Sequence, residues 1–201
     1  MMTVYSAPNT RAIRVIWVLE EIGAKAEIRS MPYQPRQRAP EYFAVNPTGM
    51  VPLLIDGEVQ LSESMAICDY LATKHGSPLV VAPDDPERAP FLQWLWYGES
   101  TLMTPLSRLN IVRQRKAAPE VDALIAGARE HVAERLKMLE QRLEGRDFLA
   151  AGRLTLADIS VSYPLHLVGM LGLDDLLGPR SAAYGERLRA RPAYQRAIAV
   201  A

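Results

Sequence analysis

Ser62-Glu63-Ser64 is the first group of residues whose types and spacing could do chemistry. It stands immediately before a segment with helical spacing. The N–H groups at a helix N-terminus and the Ser64 hydroxyl favour a carboxylate, and the Glu63 carboxylate favours an ammonium group. Together they would match the head group of an α-amino acid. The alternative is ordinary helix capping, in which the same side chains satisfy unpaired N–H groups.

Val51-Pro52 is a second candidate binding element, because it precedes a predicted strand. A proline at the start of a strand is sterically acceptable, and an X-Pro bond is usually trans. The functional alternative is a cis bond that turns the Val51 N–H and carbonyl toward a cleft. An extended peptide ligand could pair with them there as an added strand. The dipeptide alone does not decide between these alternatives.

Asn9 and Thr10 lie between the first predicted strand and the first predicted helix. Turn formation and helix capping would explain both residues. If this part of the chain folds in the order predicted below, their side chains and N–H groups point into the region of Val51 and Ser64. A hydroxyl, an amide or a helix-end N–H in that region could stabilise an anion.

The composition excludes several kinds of chemistry. The 201 residues include 23 Lys+Arg and 23 Asp+Glu, which gives a formal net charge of +0. A dedicated nucleic-acid-binding protein would need a basic surplus. Cys68 is the only cysteine, which excludes intrachain disulfides and thiolate metal cages, and we interpret it as a buried apolar residue. The 3 histidines are scattered along the chain, so we predict no metal site.

The N-terminal segment has no apolar signal-peptide core, and charged residues follow early. The longest stretch without a formal charge is residues 159–173, which is shorter than the roughly 20 residues that a membrane-spanning helix needs. We therefore expect a cytoplasmic protein with no membrane partner.

The elements that must position these residues alternate between strand and helix at the start of the chain. Apolar residues from Ala12 to Ile22 keep helical spacing, and Gly23 ends the run. Asp56-Gly57 separates two strand-like runs and predicts a hairpin. The whole order is strand 3–6, helix 12–22, strand 26–31, short helix 35–43, strands 51–55 and 58–61, and helix 62–74. This order predicts a compact mixed-sheet unit.

A proline-containing linker follows this unit, and beyond it only helical spacing remains. We therefore predict an α/β domain over residues 1–77 and an all-α domain over residues 87–201. On the long fourth helix, Trp94, Tyr97 and Met103 are either core residues or the lining of an apolar pocket.

Thr155-Leu156-Ala157-Asp158 predicts a helix start with a capping box, and Leu154 and Ile159 occupy the two positions of a hydrophobic staple. We interpret Asp158 as a helix-capping residue and not as a catalytic acid. Its loss should cost roughly 1 kcal/mol or more.

Several motifs, taken in order, resemble the cytosolic glutathione transferase (glutathione S-transferase) superfamily and span nearly the whole chain. Each motif is modest alone, but the ordered set is specific. The segment Trp94–Leu106 is similar to a bacterial branch of the family. The motifs are YSAPNT at 5–10, VLEEIG at 18–23, NPTGMVPLL at 46–54, LSESMAI at 61–67 and LTLAD at 154–158.

The resemblance implies a thioredoxin-like N-terminal domain, a helical-bundle C-terminal domain and, usually, a homodimer. It also implies that glutathione binds as a co-substrate. The Val51-Pro52 bond would be cis, and the segment Met50-Val51-Pro52 would bind the cysteinyl part of glutathione through the Val51 backbone. Glu63 and Ser64 would hold the γ-glutamyl group. Trp94, Tyr97 and Met103 would line the pocket for a hydrophobic co-substrate.

Thiol activation is the chemical requirement of such a site. A thiol with a pKa near 8.5 is only a few per cent thiolate at pH 7, and lowering that pKa by about two units stabilises the thiolate by roughly 2.7 kcal/mol. Family members use a tyrosine, serine or cysteine near the end of the first strand. Here the serine or cysteine position falls at Asn9 to Arg11, and no serine or cysteine stands there. We therefore predict Asn9 and Thr10 as the catalytic residues, with Arg11 or Arg14 adding positive potential, and keep Tyr5 and Ser6 as alternatives.

The resulting prediction is an enzyme that conjugates the glutathione thiolate to small hydrophobic electrophiles. Besides isomerase or dehalogenase activity on the same scaffold, two alternatives remain. One is glutathione-dependent reduction of disulfides or peroxides, in which glutathione supplies both thiols. The other is a non-catalytic binding module that kept the fold.

Overall fold

The computed structural model describes residues 1–115 and 118–200. These residues form two compact units. The first contains Met1–Val80 together with the segment from Arg189 onward, and the second contains Val81–Leu188.

The first unit is built on a four-stranded mixed sheet in the order β2-β1-β3-β4. Strand β1 is parallel to β2 and antiparallel to β3, and β3 is antiparallel to β4. The chain order agrees with the predicted mixed-sheet unit. The elements are β1 (Met2–Ser6), α1 (Ala12–Ile22), β2 (Glu27–Ser30), α2 (Pro35–Arg38), a 3-10 helix (Pro40–Ala44), β3 (Leu53–Asp56), β4 (Val59–Ser62), α3 (Ser64–Lys74) and α9 (Pro192–Val200).

Helix α1 is almost entirely buried, with every residue from Ala12 to Leu19 in the core. Gly23 ends the helix in the left-handed conformation at φ 67°, which glycine adopts without steric cost. The predicted stop is therefore confirmed. The predicted short helix over residues 35–43 is instead α2 followed by a 3-10 helix. Pro40 causes the break, because it lacks an N–H and disfavours the α conformation at the residue before it.

The segment from Arg189 onward belongs to the first unit, where α9 packs against α1. Trp17 on α1 is completely buried, and its ring meets Tyr194 on α9 edge-on, with 5.1 Å between ring centroids. The predicted boundaries assigned all of residues 87–201 to the helical domain, and the structure differs there. The reason is that periodicity shows that α9 has an apolar face but does not say which other element covers that face.

The second unit contains helices only, within the described residues. The predicted long helix through Trp94 and Met103 is continuous, and its hydrogen bonding widens over one π-helical turn at Tyr97–Leu102. Gly98 lies in that turn, where a Cβ would clash with Ser160. The helices are α4 (Arg88–Trp96), α5 (Met103–Arg113), α6 (Pro119–Arg142), α7 (Leu156–Met170) and α8 (Pro179–Arg189), with a 3-10 helix at Asp174–Leu176.

The predicted capping box at the start of α7 is confirmed. Thr155 Oγ1 accepts a hydrogen bond from the Ala157 N–H at 3.3 Å, and Asp158 accepts one from the Thr155 N–H at 2.8 Å. Asp158 is fully buried and also accepts from the Leu149 N–H at 2.9 Å and the Tyr184 hydroxyl at 2.8 Å. Its carboxylate therefore joins three segments of the second unit and does more than start one helix.

No helix in the described ranges combines the length and the apolar character that crossing a membrane requires. The same residues hold no cluster of three or more His, Cys, Asp or Glu side chains placed to bind a metal ion.

Candidate functional site

Three loops of the first unit meet at one end of the sheet. The strand register aligns Tyr5 with Leu53 and Leu53 with Ser62 across β1, β3 and β4. Because β3 is antiparallel to its two neighbours, the chain that leaves β1, the chain that enters β3 and the chain that leaves β4 are all at the same end. This geometry brings together the loops that carry the predicted residues Asn9 and Thr10, Met50 to Pro52, and Glu63 and Ser64.

The loop between β1 and α1 contains Asn9 and Thr10. Asn9 is exposed and adopts a left-handed conformation at φ 58°, which asparagine tolerates better than most residues. The Thr10 hydroxyl donates to the Ala7 carbonyl at 2.7 Å and accepts from the Ala12 N–H at 3.4 Å. The hydroxyl proton of Thr10 is thus used inside the loop.

Tyr5 was the tyrosine alternative, and its side chain lies in a buried cluster with Ala39, Tyr42 and Leu53. Its ring packs against Tyr42 with 5.3 Å between centroids, and its hydroxyl accepts a hydrogen bond from Arg29 at 3.0 Å. Ser6, the serine alternative, is on the opposite face of β1. It is 1% exposed, and its hydroxyl has no hydrogen-bond partner in the described part of the chain.

Asn46 organises the loop before β3. Its side-chain amide donates to the Met50 carbonyl at 2.8 Å, and its side-chain oxygen accepts from the Thr48 N–H at 3.1 Å. The Tyr42 hydroxyl donates to the same Met50 carbonyl at 3.1 Å. The loop that leads into Val51 is therefore held by two buried side chains, those of Tyr42 and Asn46. Sequence reasoning missed this role of Asn46, although an asparagine that bonds to the backbone two residues later is a known turn signal.

The Val51-Pro52 peptide bond is cis, as the resemblance implies. Pro52 is buried and Val51 is half-buried. The ladders that β3 makes with β1 and β4 reach Leu53 and do not include Val51. The main chain of Val51 lies next to these strands but outside their pairing. The Met50 carbonyl accepts hydrogen bonds inside the loop, while the residue as a whole is 51% exposed.

Glu63 is the N-cap residue of α3 and has φ 72° and ψ 108°, a conformation that a residue other than glycine rarely adopts. The alternative that Ser62-Glu63-Ser64 caps the helix is wrong, because among the described residues no side chain makes a capping hydrogen bond at this terminus. The physical reason is the turn itself. It brings Ser64 into the first position of the helix with its side chain directed into the unit, where it is 3% exposed.

Ser64 is held by a residue from α1. The guanidinium of Arg14, which is 0% exposed, donates to Ser64 Oγ at 3.1 Å. The sequence suggested Arg14 only as a source of positive potential, and its contact with Ser64 was not predicted. A lone arginine among the apolar residues of a buried helix is the signal that could have indicated a specific polar partner.

Cys68 is one turn further along α3 and is completely buried. Burial raises the pKa of its thiol to about 12. It is therefore a protonated core residue at neutral pH, which confirms the interpretation from the sequence.

The predicted pocket residues are in the second unit. Trp94, Tyr97 and Met103 are 2%, 7% and 2% exposed. The rings of Trp94 and Tyr97 are 4.7 Å apart between centroids, and the Tyr97 hydroxyl donates to the Arg135 carbonyl at 2.9 Å. Within their own unit these side chains are core residues that offer little surface to a ligand, and their role as pocket lining stays a prediction.

Two family models match the chain. Residues 1–73 match the model described as glutathione S-transferase, N-terminal domain, and residues 99–192 match the model described as glutathione S-transferase, C-terminal domain. A curated relative, glutathione S-transferase F10 of Arabidopsis thaliana, is 30% identical over 204 residues that cover 97% of this chain and 95% of the relative.

Solved structures are similar over the same extent. A glutathione transferase family member from Pseudomonas fluorescens, crystallised with two glutathione bound, has a TM-score of 0.88 and 25% identity, covering 100% of this chain and 93% of the other. A glutathione transferase from Phanerochaete chrysosporium in complex with oxidized glutathione has a TM-score of 0.82 and 28% identity, covering 98% and 94%.

Proposed function

Because the chain belongs to the cytosolic glutathione S-transferase superfamily and is therefore a transferase of that class, we propose that it conjugates glutathione to small hydrophobic electrophiles. The glutathione thiolate attacks an electrophilic carbon, a carbon–sulfur bond forms and the leaving group departs with its electron pair. The observation that carries this proposal is the convergence of three loops with complementary polar groups at one end of the sheet.

Glutathione binding is assigned to two of those loops. The Val51 N–H and carbonyl, which stand outside the strand ladders, pair with the cysteinyl backbone, and Met50 and Pro52 shape the segment on either side. The Glu63 carboxylate takes the γ-glutamyl ammonium group, and Ser64 with the start of α3 takes the γ-glutamyl carboxylate.

Thiolate stabilisation is assigned to the loop after β1. The Thr10 hydroxyl proton is bonded to the Ala7 carbonyl, so Thr10 holds the loop in shape while the Asn9 amide donates to the sulfur. A donor directed at a developing anion in a partly desolvated site is the usual way to lower its pKa. Tyr5 is assigned to the core, because its ring packs on Tyr42 and its hydroxyl is bonded to Arg29.

The remaining parts of the proposal depend on family membership. The electrophile binds against Trp94, Tyr97 and Met103 after a local rearrangement of these buried side chains. The protein acts as a homodimer, which is typical of the family, and it works in the cytoplasm without a metal ion.

Glutathione-affinity binding and turnover with an aryl halide test the conjugation proposal. We expect Asn9→Ala to lower kcat/KM for the aryl halide by roughly tenfold to a hundredfold and to raise the apparent pKa of the bound thiol, because one donor to the thiolate is lost. Tyr5→Phe should stay within about threefold of the unmodified protein. Loss of activity in Tyr5→Phe together with normal activity in Asn9→Ala would contradict the assignment.

Disulfide reduction is a second candidate, favoured by the similarity to a relative solved with oxidized glutathione. In that reaction the glutathione thiolate attacks a mixed disulfide, oxidized glutathione forms and the other thiol leaves. Turnover of a glutathione mixed disulfide that exceeds turnover of every aryl halide tested would favour this reaction over conjugation. Failure to bind at millimolar glutathione would favour the non-catalytic module instead.

A further inference from the structure

We propose that two buried side chains fix the orientation of the peptide unit between Met50 and Val51 and so direct the Val51 N–H toward the ligand. The two side chains are those of Tyr42 and Asn46. This inference rests on the proposed binding of glutathione and adds two residues to it. Both act through the main chain and not by touching the ligand, so they are positioning residues.

The first step is the pair of hydrogen bonds on the Met50 carbonyl. The Tyr42 hydroxyl donates to this oxygen at 3.1 Å, and the Asn46 side-chain amide donates to it at 2.8 Å. A backbone carbonyl has two lone pairs and no proton, so both bonds have a fixed direction and together they occupy the acceptor capacity of the oxygen. Tyr42 and Asn46 are 2% and 3% exposed, and water therefore does not compete freely for the same lone pairs.

The second step is the identity of the two donors. The Asn46 side-chain oxygen accepts from the Thr48 N–H at 3.1 Å and from the Thr48 hydroxyl at 3.0 Å. Because a backbone N–H can only donate, the oxygen of Asn46 must face Thr48, and its NH2 group must face Met50. Burial raises the pKa of the Tyr42 hydroxyl above its ordinary value, so this group keeps its proton and remains a donor at neutral pH.

The third step is the geometry of the peptide unit. The bond between Met50 and Val51 is trans, and in a planar trans peptide the C=O and the N–H point in opposite directions. Because the carbonyl is held toward Tyr42 and Asn46, the Val51 N–H points away from these two side chains. Within residues 1–115 and 118–200 no group accepts a hydrogen bond from this N–H, which leaves it available to a ligand oxygen.

The fourth step is what the two donors control and what they do not. The Val51 carbonyl belongs to the next peptide unit, on the other side of the Val51 Cα, so its direction is not set by the bonds on Met50. Tyr42 and Asn46 therefore govern one ligand contact, which is the bond from the Val51 N–H to the cysteinyl carbonyl of glutathione. Without these donors the peptide unit would lose its fixed orientation, and binding would have to restore it. A purely structural role would instead weaken every ligand of the site alike.

The test measures dissociation constants for two peptides by isothermal titration calorimetry under reducing conditions. The first is glutathione, and the second is its analogue with a trans alkene in place of the amide between the cysteinyl and glycyl groups. The analogue keeps the thiol, the γ-glutamyl group and the terminal carboxylate but lacks the cysteinyl carbonyl. The unmodified protein should prefer glutathione by roughly threefold to tenfold, the range for one hydrogen bond. Tyr42→Phe should weaken the binding of glutathione by roughly threefold to tenfold and change the binding of the alkene analogue by less than about twofold.

Tyr70→Phe is the matched control. It also removes one hydroxyl hydrogen bond of the same unit, the one from Tyr70 to Asp56 at 2.9 Å, but at the other end of β3, and it should leave both dissociation constants unchanged. Asn46→Asp is a second test variant, because it keeps the shape of the side chain and replaces the donor to Met50 by an acceptor. It should also weaken the binding of glutathione more than that of the alkene analogue. The carbonyl carbon chemical shift of Met50, measured by NMR without ligand, should change in Tyr42→Phe and not in Tyr70→Phe.

Each outcome decides one point. Equal weakening of both peptides by Tyr42→Phe would overturn the inference and assign Tyr42 a structural role. Unchanged affinity for glutathione in Tyr42→Phe, or equal affinity of the unmodified protein for the two peptides, would also overturn it while leaving glutathione binding intact. Tyr42→Phe removes a single oxygen atom, and it carries the test alone if Asn46→Asp does not fold. If the unmodified protein binds neither peptide at millimolar concentration, the proposed function itself has failed.

Discussion

At the scale of single residues, Glu63 combines an unfavourable backbone with a position at the candidate site. Its φ of 72° places a residue with a long side chain where glycine would be more stable. Such a conformation persists only when the surrounding structure imposes it, and here the neighbours are β4 on one side and α3 on the other. We infer that the carboxylate is retained for binding at a cost in stability.

Glu63→Gly tests whether the Glu63 carboxylate supports binding at a cost in stability. We expect the free energy of unfolding to rise by about 1 kcal/mol, because glycine relieves the positive φ, while the affinity for glutathione falls by roughly tenfold with loss of the carboxylate. Urea unfolding and calorimetric titration measure the two effects. Glu63→Gln is the matched control: it should lose affinity without gaining stability. A variant Glu63→Gly that is less stable than the unmodified protein would contradict the argument.

Residue types were predictable at this scale, but their hydrogen-bond partners were not. Asn9, Thr10, Val51, Glu63 and Ser64 were named from their types and from the order of the motifs. The sequence could not show that the Thr10 proton is bonded to Ala7 or that Ser64 is bonded to a guanidinium 50 positions away. A side chain's partner depends on contacts that are distant along the chain, and no local pattern records them.

At the scale of elements, the starts of α3 and α7 are opposites. Helix α7 begins with a complete capping box, whereas no described side chain caps α3. The N–H groups of an uncapped terminus need another acceptor. In α7 the chain supplies that acceptor itself, and in α3 the γ-glutamyl carboxylate of the proposed ligand would supply it. This difference separates a structural helix start from a candidate binding one.

Asp158→Ala tests how much the buried carboxylate at the start of α7 contributes to stability. From the sequence alone the expected loss was about 1 kcal/mol, the value of one helix cap. The structure raises the expectation to about 3 kcal/mol or more, because the change leaves Tyr184 and the backbone of Leu149 and Thr155 without their buried acceptor. Chemical unfolding followed by circular dichroism measures the loss. Asp122→Ala, in the exposed first turn of α6, should cost less than about 0.5 kcal/mol; equal losses in the two variants would contradict the buried role.

At the scale of the whole molecule, the last segment of the chain returns to the first unit. Arg191 forms a bidentate ion pair with Glu21 on α1, with Nε–Oε1 at 2.7 Å and Nη2–Oε2 at 3.0 Å. Trp17 also donates to Glu21 at 2.8 Å. Burial raises the pKa of Glu21, but the hydrogen bonds from Arg191 and Trp17 outweigh it, and the pKa lies below its ordinary value.

A lowered pKa in the folded state predicts the sign of the pH dependence. The pair stabilises the fold above the ordinary glutamate pKa of 4.5, and this contribution is lost as the pH falls through the lowered value. Glu21→Gln should therefore lower the free energy of unfolding by about 1–2 kcal/mol at neutral pH and by less in acid. Unfolding measured across the acid range gives both values.

The matched control is Glu20→Gln. Glu20 on α1 pairs with Arg196 on α9, but the two side chains are 34% and 57% exposed, so the loss of this pair should change stability by less than about 0.5 kcal/mol at any pH. If Glu21→Gln lowered the free energy of unfolding by the same amount from neutral to acid pH, the ion pair would not be the source of the pH dependence.

The sequence by itself determined the classes of element, their order, the positions of the main turns and the family, because hydrophobic periodicity, glycine and proline positions and motif order are local properties. It also predicted, on the condition that the first unit folds in the predicted order, which loops would converge, but the order of the strands within the sheet came from the structure. Only the tertiary structure decided that Arg14 meets Ser64, that α3 starts without a side-chain cap and that the segment from Arg189 onward packs on α1. These features depend on which distant surfaces bury one another, and that choice is made by packing of the whole chain.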